Sequence, residues 1–337
     1  MNMSIPKVSI VIPAYNAMKY LPDTLQSVWR QTFTDFEVIL VDDGSSDNIK
    51  QWASQITDSR FKFISQPNQG ASTARNSGIL ASQSKYIALL DADDLWAPTK
   101  LEAHVVQLDN NPKVALSYCW TAMMNSQGQP TGRLLKPSAD GNVYSKLLVQ
   151  NIIDCPSVVV RRSCFNKVGL FNTNIRYNED WEMWIRIAAV YEFSVIKQPL
   201  VYYRQHPNNV SKNWRQMQLG FNEVIKSAFK SAPSELQNLK KPSYGHANLV
   251  LAWKALQSKD KDFQLAANFR ASALRYDPKQ VLSPEFWRLS VAIALMRYLG
   301  IGGYNRFLEF AYALRKRLSN QTSTPTTQNW KPNEIFF

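Results

Sequence analysis

Acidic residues gather where apolar runs end in this chain of 337 residues. Asp91, Asp93 and Asp94 follow the run YIALL, Asp42 and Asp43 follow FEVILV, and Glu179-Asp180 opens a segment rich in Trp and Ile. Two positions apart at a strand end, Asp91 and Asp93 point to one side, with Asp94 on the turn behind them. Three carboxylates this close do not all stay ionised without a counter-charge. A divalent cation supplies one, and oxygen donors favour Mg²⁺ or Mn²⁺ over zinc. The competing reading is a helix N-cap at Asp93 or Asp94 ahead of residues 95–98. For Glu179-Asp180 the plain reading is an acidic first helical turn stabilised by the macrodipole.

Three further segments carry polar or aromatic groups at comparable places. Tyr15, in Pro13-Ala14-Tyr15-Asn16, offers an aromatic face to a base or simply packs. Asp42 to Asp47 can accept from a base N–H or a ribose hydroxyl, or form a turn with an N-cap. Gly70 permits close backbone approach at a helix start, and Arg75 lies on that helix's inner side, where it would meet a phosphate or base. Cys155 and Cys164 flank a strand and read as buried small hydrophobes. His104 and His246 have no motif around them and read as surface or packing residues.

The elements that must position these groups alternate in type. Residues 7–13, 36–41, 61–65, 86–90, 114–123 and 156–161 read as strands, and 21–31, 48–56, 70–81 and 179–190 as helices. Near-continuous apolar strands alternating with helices predict an α/β fold, a mostly parallel sheet sandwiched by helices. In such sheets ligands bind beyond the carboxyl ends of the strands, where the acidic clusters fall. After residue 207 only helical patterns follow, at 216–230, 244–258, 263–276, 284–299 and 304–318. The Ala-rich pair around Ala252 and Ala271 reads as a single helical hairpin. The expected division is residues 1–215 as the catalytic domain, 216–318 as a smaller, basic all-α region, and 319–337 as a loose tail.

Composition narrows the class. Hydrophobic residues make up 45% of the chain, enough for a large and a small domain with their own cores. Three cysteines without CxxC spacing indicate neither a disulfide framework nor a thiolate zinc site, which fits a reducing, cytoplasmic setting. The N-terminus has no signal-peptide pattern, and the longest apolar run, residues 291–296, is far below the ~20 residues of a membrane span. Net charge is +13, and residues 216–337, with 17 basic and 8 acidic side chains, hold +9 of it. Walker A and GxGxxG sequences are missing, which argues against ATPase and dinucleotide roles.

Taken in order, VSIVIPAYN, FEVILVDDGSSD, NQGASTARNSG, YIALLDADD, NEDWEMWIRIA and YRQHPNNVS resemble the family 2 glycosyltransferases, which have the GT-A (Rossmann-like) nucleotide-diphospho-sugar transferase fold. The resemblance covers roughly residues 7–211. It implies inverting transfer of a sugar from a nucleotide-diphosphate sugar, most often UDP- or dTDP-linked, to an acceptor hydroxyl, with Mn²⁺ or Mg²⁺ bound. By position it assigns Pro13, Tyr15 and Asp43 to the nucleotide pocket, and Gly70, Arg75 and Asn76 to the segment beside base and phosphates. Asp91 and Asp93 match the DxD motif, the first directed to ribose or sugar and the second to the metal; Asp94 flanks both. Asp180 matches the catalytic base, Glu179 joins the donor-binding residues, and His206 resembles a histidine that reaches the metal or diphosphate. The QxxRW motif of processive synthases is missing, so a single transfer is expected.

The acceptor expected from the resemblance is a saccharide or lipid-linked saccharide in surface polysaccharide, lipopolysaccharide or glycolipid assembly, with specificity set by residues 125–155 and 207–215. Residues 304–318 form a basic amphipathic stripe that either packs on the catalytic domain or lies on an anionic membrane, the cytoplasmic face if so. Two other classes compete: a haloacid dehalogenase-like phosphatase with Asp91 as nucleophile, and a non-catalytic membrane- or nucleic-acid-binding module. Against the phosphatase, Asp93 is followed by Asp94-Leu95, and no nucleic-acid motif accompanies the basic charge.

Overall fold

The run VSIVIPA is apolar or β-branched at nearly every position, which suits a strand covered on both faces. It forms β1 (Val8–Ala14) in a computed structural model that describes residues 5–209, 212–258 and 261–321. β1, β2 (Phe36–Asp42), β3 (Phe61–Ser65) and β4 (Tyr86–Leu89) pair in parallel in the order β3-β2-β1-β4. Helices α1 (Leu21–Trp29), α2 (Ile49–Ala53) and α3 (Ala71–Ala81) connect them. Leu21, Leu25 and Val28 of α1 share a buried cluster with Val8, Ile10 and Ile12, while Ala74 of α3 packs with Ile39 and Val41. Helix α3 approaches β1 closely at Gly78, where a Cβ would overlap the Val11 side chain.

Beyond β4 the sheet becomes mixed. β5 (Leu95–Trp96), β6 (Val114–Met124), β7 (Pro130–Leu135), β8 (Val158–Arg161) and β9 (Glu192–Arg204) extend it as β4-β8-β6-β9-β5, with β7 on β6. β8 runs antiparallel to β4 and β6, β6 and β9 are parallel, and β5 is antiparallel to β9. Helices α4 (Lys100–Asn110), α5 (Tyr144–Val149), α6 (Ser163–Val168) and α7 (Glu179–Ala188) belong to this half. Sequence patterning predicts neither α4 nor β9. Lys197-Gln198-Pro199 interrupts the apolar alternation of β9, and the strand absorbs it through register shifts around Trp120, opposite Pro199; a bulge is where a strand tolerates proline.

The chain forms two compact units, one running to Pro207 and including Leu219–Leu239, the other made of Asn208–Gln218 and the chain from Lys240. Helix α8 (Trp214–Ser231) contributes to both, and the expected boundary at residue 215 lies in its first turn. In the second unit α9 (Lys240–Gln257) and α10 (Phe263–Tyr276) pair as a hairpin with Ala252, Ala255, Ala266 and Ala273 buried and Tyr244 stacked on Tyr276. The helices expected at 284–299 and 304–318 are joined as α11 (Pro284–Gln321), which breaks at Gly300, a residue at φ 66°. The side chains of residue 305 and residues 307–321, most of the expected basic stripe, lie outside the described residues, as do residues 322–337 of the expected tail. No helix among the described residues is long and apolar enough to cross a membrane.

Candidate active site

Strand direction brings the candidate residues to one edge. β1, β2 and β4 are parallel, so Tyr15, Asp43 and Asp91 leave the sheet on the same side. β8 is antiparallel to β4, so the turn before it, with Asp154 and Cys155, starts there. β6 and β9 run with β4's sense, and β9 ends at Arg204, opposite Met124, which delivers His206 to that edge.

Asp43 is buried, and its carboxylate accepts from Gln66 Nε2 (2.8 Å), the Gln69 N–H (3.0 Å) and the Gly70 N–H (2.7 Å). It thereby fixes the loop that enters α3. Gly70 sits at φ 92° with open space where a side chain would be, and Tyr15 is 56% exposed. Pro13 lies within β1, half-buried. Asn76 is turned elsewhere: its amide donates to the Phe171 carbonyl and accepts from the Phe171 N–H, both at 2.9 Å. That side chain ties α3 to the segment before α7 instead of facing the strand ends.

Arg75 is buried and bridges two carboxylates, donating from Nη2 to Asp91 (2.8 Å) and from Nη1 to Glu179 (2.6 Å). Asp180 follows Glu179 in the first turn of α7, and its Oδ1 accepts from the Trp181 N–H at 2.7 Å. Asn151 Nδ2 stands 3.4 Å from both Asp180 oxygens. Burial pushes the Asp180 carboxyl up to about 7; the neighbouring Glu179 adds to the rise and Arg75 opposes it. Asp91 is also raised by burial, against the pull of Arg75.

Asp93 Oδ2 and His206 Nε2 are 2.8 Å apart, and the His206 ring stacks on Tyr20 at 4.8 Å. Two ligands at adjacent corners of an octahedral Mg²⁺ ion, each at about 2.1 Å, stand about 3 Å from one another, so this pair fits such an ion. Among the described residues no group of three His, Cys, Asp or Glu can hold a metal alone. Mg²⁺ ordinarily takes one or two protein carboxylates and completes its shell with water and substrate phosphates. Asp94 serves differently: it is fully buried and accepts from the Arg204 N–H at 2.8 Å, joining the acidic turn to β9. Its other oxygen has no hydrogen-bond partner among the described residues, and burial drives its carboxyl well upward.

Sequence reasoning assigns no role to Tyr20, Asn151, Asp154 or Arg204. Arg204 donates from Nε to the Asp93 carbonyl (2.8 Å) and lies over the Tyr20 ring. Asp154 is half-buried, and burial lifts its carboxyl to about 6, with Asp91 adding to the rise. Only Arg204 had a signal in the sequence, its place two residues before His206; the others depend on chain reversals between β6 and β8 or on the α1 entry. Trp181 and Trp184 are fully buried, as core residues.

Residues 9–169 match the model for Glycosyl transferase family 2. The Escherichia coli UDP-Glc:alpha-D-GlcNAc-diphosphoundecaprenol beta-1,3-glucosyltransferase WfgD is 31% identical over 210 residues, 61% of this chain and 80% of that protein. The chain belongs to glycosyl transferase family 2. Family 2 membership removes the support from the phosphatase and non-catalytic readings of the acidic turn. An uncharacterized glycosyltransferase of Rickettsia bellii is 34% identical over 184 residues, 54% of this chain; the chain spans only about a quarter of that relative's length, 26%. Among solved structures, the mannosyltransferase PcManGT of Pyrobaculum calidifontis, in complex with GDP-Man and Mn²⁺, superposes with a TM-score of 0.59 at 18% identity, covering 95% of this chain and 88% of that one. That likeness shows that this family 2 member has the expected nucleotide-diphospho-sugar transferase fold.

Proposed function

We propose that the protein is an inverting glycosyltransferase that moves one sugar from a nucleotide-diphosphate sugar to the hydroxyl of a saccharide or lipid-linked saccharide. The observation that carries this reading is the Asp91–Arg75–Glu179 bridge, which runs from the acidic turn of β4 to α7 and sets Asp180 beside it with a carboxyl at about 7. Residues 1–215 are the proposed catalytic part, and residues 216–318 the helical region.

In this reading Pro13, Tyr15 and Asp43 border the nucleoside, and Gly70 leaves the backbone open beside the phosphates. Arg75 pairs with one oxygen each of Asp91 and Glu179, which leaves the second oxygen of Asp91 to accept from a sugar or ribose hydroxyl. Asp93 and His206 would hold the divalent cation, Mn²⁺ or Mg²⁺. When bound, the cation supplies charge neutralisation at the departing diphosphate. Asp180 takes the proton of the acceptor hydroxyl as that oxygen bonds to the anomeric carbon; the bond from that carbon to the β-phosphate oxygen breaks on the opposite side, and the nucleoside diphosphate leaves with the electron pair. Attack opposite the leaving group inverts the anomeric centre. A carboxyl near 7 is poised for this task, since a general base works best with a pKa near the operating pH. The acceptor class is supported by WfgD, named for transfer to a diphosphoundecaprenol-linked sugar, and the cation by the Mn²⁺ in the PcManGT complex.

The test is calorimetric titration with UDP, dTDP and GDP, each with and without Mn²⁺, on the wild type and Asp93→Ala. Metal-dependent binding of one nucleotide, lost in the variant, is expected and selects the donor for a sugar screen. Failure of all three to bind overturns the proposal.

A further inference from the structure

The first half of helix α11, Pro284 to Gly300, is apolar on two opposite faces. One face is buried by Phe286, Leu289, Ile293 and Met296. At about 100° per residue, from 3.6 residues per turn, Trp287, Val291, Ala294 and Tyr298 fall on a narrow stripe on the other side. That stripe is uncovered: Trp287 is 57% and Tyr298 78% exposed, with Val291 and Ala294 exposed between them. Leu282, before the helix, is exposed as well. The Trp287 indole N–H is already satisfied by the Val281 carbonyl at 2.8 Å, so the exposed part of the ring is its hydrocarbon surface. A continuous apolar patch of this kind marks a contact surface, whereas isolated exposed hydrophobics do not.

Charge decides what the surface fits. By the same helical spacing Arg288 and Arg297, both exposed, flank the stripe on opposite sides. Residues 284–321 carry Arg288, Arg297, Arg306, Arg315, Lys316 and Arg317 against only Glu285 and Glu309. A second copy docked about a two-fold axis on this stripe would set Arg288 and Arg297 against their counterparts, since such an interface pairs a patch with itself. An anionic lipid surface meets both demands: Trp and Tyr settle at the headgroup level, and long basic side chains reach the phosphates from its margins.

We propose that α11 docks the protein on an anionic bilayer, lying in the interface along the Trp287–Val291–Ala294–Tyr298 stripe. The helix lies on the membrane and does not span it. The inference does not depend on the transfer reaction, because it concerns neither donor nor acceptor.

The experiment is co-sedimentation of the full-length protein with vesicles of phosphatidylcholine alone, and of equal parts phosphatidylcholine and phosphatidylglycerol. Binding to the mixed vesicles only, weakening as salt is raised, is the expected result. The triple variant Trp287→Ser, Val291→Ser, Tyr298→Ser should lower the partition coefficient about tenfold or more, with unchanged circular dichroism and nucleotide binding. The pair Arg288→Glu, Arg297→Glu should abolish the preference for anionic vesicles. Wild-type protein left in the supernatant with the mixed vesicles overturns the proposal, as does a folded triple variant that binds as the wild type does. So does sedimentation velocity showing a wild-type dimer that the triple variant loses, because the stripe is then a self-association surface.

Discussion

A single guanidinium organises the acid–base chemistry proposed here. Arg75 holds Asp91 and Glu179 and lowers the neighbouring Asp180 against its burial. If Asp180 is the base, the chemical step requires its ionised form, so kcat should fall as pH drops below about 7, one proton quenching it. Asp180→Asn should lower kcat about 10²–10⁴-fold, the usual contribution of a positioned base, and erase that acidic limb while nucleotide affinity is retained. Arg75→Ala removes the cation that favours the Asp180 anion and leaves the Trp181 N–H in place. The acidic limb of the residual activity should then move to higher pH. The variant should also unfold more easily by about 1–3 kcal/mol, the cost of leaving two half-buried carboxylates without their partner; a pH–rate profile and a denaturant melt measure the two effects separately. An unchanged limb in Arg75→Ala would mean that Asp180 is not the titrating group.

At the scale of elements, the site depends on how α7 begins. Its first residue is preceded by Asn178 in the left-handed region at φ 58°, a conformation asparagine tolerates better than most residues, and Gly220 of α8 packs directly against this turn. A Cβ at Gly220 would overlap the Tyr177 carbonyl oxygen and crowd the Asn178 side chain. Gly→Ala in a helix normally gains up to about 1 kcal/mol in propensity, whereas overpacking against backbone costs about 1–3 kcal/mol. The clash should win. Gly220→Ala is therefore expected to lower the melting temperature and to reduce kcat by shifting Glu179 and Asp180, with little effect on nucleotide binding at the β1 and β2 ends; unchanged stability and kcat would show that the helices yield without moving the turn. Much of this framework is legible in the sequence, since the near-continuous, β-branched apolar runs of β1, β2 and β4 have the length and composition of strands covered on both faces. β9 is not legible, because its Lys197-Gln198-Pro199 interruption is accommodated only by a bulge against β6.

For the molecule as a whole, the buried titratable groups predict an unusual dependence of stability on pH. Asp154 and Asp180 keep their protons up to about 6 and about 7 in the folded state, but release them near 3.9 when unfolded. The folded protein thus binds more protons than the unfolded chain between about pH 4 and 7, and these groups make stability fall as pH rises through that window. Lys100 acts in the opposite sense at alkaline pH. It is fully buried over the Trp96 ring at 4.0 Å, its ammonium has no hydrogen-bond partner among the described residues, and burial lowers it to about 8. Between about pH 8 and its unfolded value near 10.4 the unfolded chain binds the extra proton, so stability rises with pH. Lys100→Met should stabilise the protein at pH 7 on the order of 3 kcal/mol, following the shift of its pKa, and remove the alkaline rise. Chemical denaturation across pH measures both, and a variant no more stable than the wild type would show that the buried ammonium is solvated.

The chemical inventory was local information. Short apolar runs closed by Pro13, by Asp42-Asp43 and by Asp91-Ala92-Asp93 define strands whose carboxyl ends carry polar groups, because strand formation and the turn that ends it depend on neighbouring residues. The pairing of those groups was not local. Arg75 meets Glu179 across 104 positions, and Asp93 meets His206 across 113. Nor could adjacency in the sequence show that Asn76 would turn to Phe171, or that Asp94 would be spent on the backbone of Arg204. A side chain's partners and its desolvation are properties of the packed chain, and those two quantities separate a carboxyl near 7 from an ordinary surface aspartate.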